Sequence, residues 1–174
     1  ENRESTLTEV EDRKRVWREL LERLLNDVNP IFNAFLNKVG ATGHVELVNT
    51  EDFHDTGLEL TVGFKGAEPH VLDSRTHSGG EKSSTTMAFL LALQRHIKSP
   101  FRAVDEFDVH MDPRNRELIS QLLLLEMKKD ANSQYLTITP GQLTNIEDDV
   151  HVITVQRIEG KSEIKVTAPG AEAS

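Results

Sequence analysis

Apolar positions along the chain follow two periods, and the change from one to the other marks out the elements. Between residues 6 and 39, Leu7, Val10, Trp17, Leu21, Leu24, Val28, Ile31 and Phe35 recur at three-, four- and seven-residue spacing, and charged residues fill much of the rest. That period predicts one long amphipathic helix. Thr6 and Glu9 match a capping box at its start, and Pro30 is expected to bend or interrupt it. The pattern suits a helix on a domain surface or the root of a coiled coil running into a globular body. After Gly40-Ala41-Thr42-Gly43 the period shortens to two. Val45 and Leu47, then Leu58, Leu60, Val62 and Phe64, alternate with polar residues, which predicts two strands joined at a turn near Asp55-Thr56-Gly57. Residues 66–77 read as polar loop, and residues 79–98 as a helix with Met87, Leu90, Leu91 and Ile97 inward. Phe101 to Val104 is a short apolar run expected to be a buried strand, ending in two acids. Asp112-Pro113 opens another helix, with Asp as cap and Pro in the first turn, running through Leu118, Ile119, Leu122, Leu123 and Met127. Tyr135–Ile138 reads as a strand. Val150–Val155 and Ile164–Val166 read as strands around a turn at Glu159-Gly160, and Ala168–Ser174 as a disordered tail.

The order helix, hairpin, helix, strand, helix, strand predicts an α/β body. At 174 residues and 37 % hydrophobic the chain fits one ordinary domain with a real core. Its net charge of −9 argues against a free-standing nucleic-acid module, which is usually basic, but leaves room for a local basic patch or for DNA contact by a larger assembly. The absence of cysteine excludes a disulfide scaffold and a thiolate metal site, and points to a reducing, intracellular compartment. No run approaches 18 apolar residues, so no membrane span is predicted. The sequence begins at Glu1 without a signal-peptide pattern or an initiating Met, and is expected to be a fragment or a processed chain.

Two segments carry chemistry. In Ser78-Gly79-Gly80-Glu81-Lys82, Ser78 can cap the following helix, and Glu81 stands three residues on to complete a capping box. The glycines let backbone N–H groups approach an oxyanion at a helix N-terminus, where the dipole favours negative charge. Taken alone, a glycine-rich loop that merely starts a helix is an equal account. In the second segment, Asp105 and Glu106 follow the apolar strand at what should be its C-terminal edge, where ligands gather in α/β sheets. One carboxylate can hold Mg²⁺ and the other can orient or deprotonate an attacking water. The order glycine loop, helix, apolar strand, acid pair and then Asp112 is more specific than any one part. Gly-x-x-x-x-Gly-Lys-Ser/Thr is absent, so the chain lacks its own cradle for the β- and γ-phosphates.

The chain resembles the C-terminal half of the ATPase head of an SMC (structural maintenance of chromosomes) protein. Within that family it is most similar to the SUMO-ligase-associated repair branch or an archaeal SMC-like relative. The likeness covers residues 15–157. It rests on His77 through Ser83, Thr85-Thr86-Met87, Leu91 through Gln94, Pro100 through Glu106, Met111 through Arg116, and Gln134-Tyr135 through Thr139-Pro140. Upstream, Trp17, Asn29, Phe32, Phe35 and Gly43 through Leu47 also match. The resemblance implies the C-terminal lobe of an ABC-type, RecA-like P-loop head with the root of an antiparallel coiled coil. Residues 1–30 would be the arm, 31–160 the half-head, and 161–174 a terminal strand and tail. A distant N-terminal half would supply the phosphate loop. A second head, identical or not, would close each ATP, a kleisin would bridge the heads, and DNA would be reached through the full complex at the chromosome. Asp105 would help hold Mg²⁺ and Glu106 would polarise the attacking water. Ser78, Gly79 and Gly80 would face the γ-phosphate held on the opposite head, with Glu81, Lys82 and Asp112 completing the nucleotide-binding set. The fragment alone would be inactive as an ATPase.

This chain departs from the family pattern at three places. His77 stands where leucine is common. Pro140 follows Thr139 where histidine is usual and cannot donate that side chain's hydrogen bond. Arg102 interrupts the apolar strand and is expected beside a carboxylate or reaching outward to solvent. Alternatives to the SMC reading are a double-strand-break-repair ATPase with a zinc hook, an SMC-like structural protein with nucleotide-gated dimerisation and little hydrolysis, and, less favoured, an ABC transporter motor. The remaining candidates have duller readings. His77, His96 and His110 lack ligand spacing. Trp17 reads as packing, Arg13-Lys14-Arg15 with Arg18 as a solvated helix face, and Lys82 equally as a surface ion pair.

Overall fold

A computed structural model describes residues 2–73, 75–129, 132–141 and 150–167. Three helices and seven strands follow in the order α1 (Asn2–Lys38), β1 (Ala41–Val48), β2 (Gly57–Phe64), β3 (His70–Val71), α2 (Gly79–Gln94), β4 (Phe101–Asp105), α3 (Pro113–Met127), β5 (Gln134–Ile138), β6 (Val152–Ile158) and β7 (Lys161–Thr167). The chain divides into two units, Glu1–Gly141 and Gln142–Ser174. In the first, β1-β2-β3 form an antiparallel sheet, and β4 and β5 form a parallel pair. The second is the antiparallel β6–β7 hairpin, turned at Glu159-Gly160.

The core of the first unit lies where the lower half of α1 crosses the β1–β2 hairpin and α2, with α3 on the far side of α2. Val28, Phe32 and Leu36 of α1, Val45 and Val62 of the hairpin, Ala88, Leu91 and Ala92 of α2, and Ile119 of α3 are all buried to 1 % exposure or less. Each large aliphatic or aromatic side chain there contributes roughly 1.5–3 kcal/mol as an upper estimate. The upper half of the stripe is different. Leu7 and Val10 are 56 % and 42 % exposed, so the predicted apolar face is real but lacks a partner among the described residues.

Several boundaries differ from the sequence reading. α1 already runs through Thr6, so no capping box forms there; the Thr8 hydroxyl instead bonds back to the Glu4 carbonyl inside the helix. It also continues through Pro30 without interruption. Ala41-Thr42-Gly43 belongs to β1 rather than to a linker. Two asparagines one helical turn apart explain this. The Asn29 amide accepts from the Val45 N–H at 2.7 Å and donates to the Val45 carbonyl at 2.8 Å, and Asn33 does the same at Gly43. α1 thus satisfies the outer edge of β1 as a neighbouring strand would, which extends the strand to the helix.

α2 ends at Gln94, not at residue 98; Ile97 lies beyond it at 48 % exposure, and Leu90 is also exposed at 38 %. Met87 and Leu91 do face inward as expected, joined by Ser84, Thr85, Ala88 and Ala92, whose small side chains let α1 and α3 approach. β4 is not buried: Phe101, Ala103 and Asp105 are exposed and Arg102 and Val104 half-buried. β6 starts at Val152 rather than Val150 and runs to Ile158, and β7 starts at Lys161. The tail assigned to Ala168–Ser174 lies outside the described residues.

Candidate functional site

Two loop ends are brought together by the packing of α2 against α3. The first is the N-terminus of α2. Ser78 is its cap: the Ser78 hydroxyl accepts the Glu81 N–H at 3.2 Å, and the Glu81 carboxylate accepts the Ser78 N–H at 2.9 Å. The predicted capping box is present. The backbone bond from Ser78, outweighing partial burial, holds the Glu81 carboxyl below its ordinary pKa. The N–H groups of Gly79 and Gly80, which belong to the first helical turn, form no hydrogen bond to a described residue.

The second loop end is His110–Asp112, just ahead of α3. Asp112 caps α3 by accepting from the N–H groups of Arg114 and Asn115, both at 3.0 Å, with Pro113 in the first turn. Gly80 lies directly on this segment: a Cβ placed there would stand 3.2 Å from the His110 carbonyl oxygen. A side chain at 80 would require the loop to give by a few tenths of an ångström. The sequence-predicted residues Ser78, Gly79, Gly80 and Asp112 converge on one surface, and glycine at 80 allows the close approach.

Asp105 and Glu106 stand at the C-terminal end of β4, both exposed. The parallel register pairs Asp105 with Ile138, and the Glu106 N–H extends the ladder to the Ile138 carbonyl at 2.9 Å. Glu106 adopts φ 47°, a left-handed conformation that glutamate rarely takes. It costs of order 1 kcal/mol or more, and so marks a residue held by its surroundings.

Those surroundings include a group the sequence reading missed. The Asp108 carboxylate is buried to 1 % exposure. It accepts from the Thr139 hydroxyl, at 2.8 and 2.9 Å to its two oxygens, and stands 3.2 Å from Nε of Arg116 in an ion pair not aligned as a hydrogen bond. The Gly141 N–H in turn donates to the Thr139 hydroxyl oxygen at 3.0 Å. Only the acid pair before Asp108 and the cap after it stand out in the sequence.

The remaining candidates fall as follows. Lys82 is half-buried and forms no ion pair among the described residues. His77 spans from the glycine loop to β2: its Nε2 is 3.2 Å from the Val62 carbonyl and its Nδ1 2.8 Å from the Thr76 hydroxyl. That geometry selects the tautomer with the proton on Nε2. Arg102 meets no carboxylate among the described residues; it donates to the Ile97 carbonyl at 3.0 Å and the Ser133 hydroxyl at 3.4 Å. Trp17 packs edge-on against Phe53 at 4.9 Å, and Arg18 donates to the Thr50 carbonyl, so the β1–β2 loop is fastened to the arm. Arg13, Lys14 and Arg15 pair with Glu9, Glu11, Asp12 and Glu19 along the helix, as a solvated face does. No cluster of three metal-ligating side chains occurs among the described residues.

The α/β architecture is that of a P-loop ATPase-type head. Residues 13–162 match the RecF/RecN/SMC N terminal domain family, and the chain belongs to that family. It is 32 % identical over 149 residues to Structural maintenance of chromosomes protein 6 of Dictyostelium discoideum, covering 82 % of this chain and 12 % of that protein. It is 30 % identical over 165 residues to Structural maintenance of chromosomes protein 5 of Caenorhabditis elegans, covering 89 % and 15 %. The chain thus spans only a small part of the length of these relatives. Among solved structures it is similar to the Smc head domain of Pyrococcus furiosus, which carries an extended coiled coil and is bound to the C-terminal domain of ScpA. That match has a TM-score of 0.74 at 25 % identity, over 95 % of this chain and 40 % of that one. It is also similar to the Smc head of Pyrococcus yayanosii, with a TM-score of 0.71 at 26 % identity, over 94 % of this chain and 31 % of that one. The matches thus include both Structural maintenance of chromosomes proteins 5 and 6 and Pyrococcus Smc heads.

Proposed function

We propose that this chain is the C-terminal half of a composite SMC head that binds and hydrolyses ATP. The carrying observation is the seating of Gly80 against the His110 carbonyl. It sets the N–H groups of Gly79 and Gly80, unbonded among the described residues, beside the capped start of α3. Such a surface can receive the γ-phosphate of a nucleotide held by a second head, with Ser78 and Lys82 at its rim. The loop that wraps the phosphates comes from the N-terminal half of the same protein. Asp105, at the C-terminal end of β4, would help hold Mg²⁺, which would supply charge to offset the phosphates. Glu106 accepts a proton from the attacking water and orients it. ATP joins two heads and hydrolysis parts them. The head relatives suggest a kleisin-type partner and action on chromosomal DNA in repair or organisation.

The test uses the full-length protein carrying this chain. Glu106→Gln should keep ATP-dependent head dimerisation while turnover falls by about a hundredfold or more. Ser78→Arg should abolish dimerisation, because a long cation fills the space of the phosphate. Normal turnover in both variants would overturn the assignment. Dimerisation with negligible wild-type turnover would instead favour a nucleotide-gated structural role, the reading that Pro140 leaves open.

A further inference from the structure

The buried Asp108 carboxylate has no part in the chemistry assigned to Asp105 and Glu106, yet it joins three pieces of the molecule. It sits on the segment after β4, takes the hydroxyl of Thr139 on the segment after β5, and faces Arg116 on α3. The two segments leave adjacent parallel strands at the same edge, where Glu106 stands.

Glu106 is bracketed by these bonds. On one side its own N–H is fixed to the Ile138 carbonyl, one residue before Thr139. On the other, two residues later, Asp108 is fixed to Thr139 itself. Between the two anchors the backbone turns through the left-handed conformation of Glu106. A glutamate released from such constraints relaxes to an ordinary φ, and its carboxylate moves with the backbone. Further contacts tighten the bracket. Phe107, between Glu106 and Asp108, is buried, and the Met111 N–H bonds the Asp108 carbonyl at 3.1 Å. Gly141 closes over the Asp108–Thr139 pair, and a Cβ there would stand 2.8 Å from the Asp108 carboxylate.

We propose that Asp108 and Thr139 are a positioning pair that holds Glu106 in its left-handed turn, and so aims its carboxylate at the attacking water. Asp108 and Thr139 act through Glu106 rather than on the nucleotide. This inference rests on the role of Glu106 given above, and its effect should be on turnover rather than on nucleotide binding.

The experiment compares wild type, Glu106→Gln, Thr139→Val, Thr139→Ser and Asp108→Asn in the full-length protein. For each it measures kcat, KM for ATP, ATP-dependent head dimerisation and melting temperature. Thr139→Val removes the donor and little volume. It should lower kcat by between about tenfold and a hundredfold, since small misplacements of a catalytic group cost that much. KM and dimerisation should stay within about twofold of wild type. Thr139→Ser, which restores the hydroxyl, should recover most of the loss. Asp108→Asn, which keeps an acceptor for Thr139 but loses the charge facing Arg116, should fall between. The pair has no positioning role if Thr139→Val turns over like wild type, if serine fails as badly as valine, or if kcat falls only in step with dimerisation and melting. A wild type no faster than Glu106→Gln defeats the reading of Glu106, and this inference with it. A wild type clearly faster than Glu106→Gln, with Thr139→Val equally fast, defeats this inference alone.

Discussion

Ser84 is fully buried in the inward face of α2, and its hydroxyl has no hydrogen-bond partner among the described residues. Its neighbour Thr85 is equally buried but bonds the Glu81 carbonyl one turn back at 2.8 Å. The two show how differently one hydroxyl and the next can behave inside a helix. An unpaired buried hydroxyl destabilises by roughly 1–3 kcal/mol relative to a satisfied one. Ser84→Ala should therefore stabilise the protein by about 1 kcal/mol, raising the urea midpoint with the m-value unchanged. A lower midpoint would mean that an unseen water satisfies Ser84. Nothing in the sequence separates Ser84 from Thr85. Asp108 was hidden for a related reason. Its partner Thr139 is 31 residues away, and a carboxylate near Asp105, Glu106 and Asp112 looks like one more solvated acid. The caps at Ser78 and Asp112 were legible because every atom they use lies within three residues.

At the scale of elements, the type of each long segment was readable and its edges were not. The switch from a helical to a two-residue period located α1 and the hairpin, because those periods reflect a single buried face. The start of β1 depended on tertiary pairing instead. Asn29 and Asn33 look like ordinary polar positions on a helix, yet they hold the backbone of Val45 and Gly43. Asn29→Ala leaves the Val45 N–H and carbonyl without that partner at the covered edge of the sheet. It should cost about 1–3 kcal/mol, and the Val45 amide should lose protection in hydrogen exchange before the rest of β1. Unchanged exchange at Val45 would show that water replaces the asparagine. The same bonds explain why Gly43 is glycine: a Cβ there would overlap the Thr61 carbonyl oxygen at 2.0 Å, across the strand pair that Asn33 closes from the other side. Below α2 and α3, Arg95 grips Glu126 with two bonds of 2.7 Å while stacking over Phe35 at 5.1 Å. Burial raises the Glu126 pKa, but the bonds from Arg95 and Lys129 outweigh it and leave the carboxyl below its ordinary value. No period in the sequence forecasts that clasp, which joins the ends of two helices 31 residues apart.

At the scale of the molecule, the apolar run at residues 101–104 was expected to be buried, and the reason it is not bears on what the chain needs. One face of the β4–β5 pair carries Val104 and Tyr135, packed on the core, with the Tyr135 hydroxyl donating to Gln94 at 2.8 Å. The other face presents Phe101, Leu136 and Ile138 at 50 %, 41 % and 49 % exposure. Parallel strands are normally covered on both faces and flanked by further strands, and two of them alone make a marginal sheet. In the proposed split head, further strands and a covering layer from the other half would bury this face. In the isolated chain, the amides of Phe101–Asp105 and Gln134–Ile138 should exchange within the range of local opening, well before those of Val28–Leu36 in the core. Adding the N-terminal half that bears the phosphate loop should slow them by about a hundredfold, because a further strand and a covering layer make their opening depend on unfolding of the whole head. Hydrogen exchange with and without that half reads this directly. Protection of β4 and β5 already complete in the isolated chain would show that the exposed face needs no partner, and would remove the structural argument for a split head while leaving the Ser78 and Asp112 caps untouched.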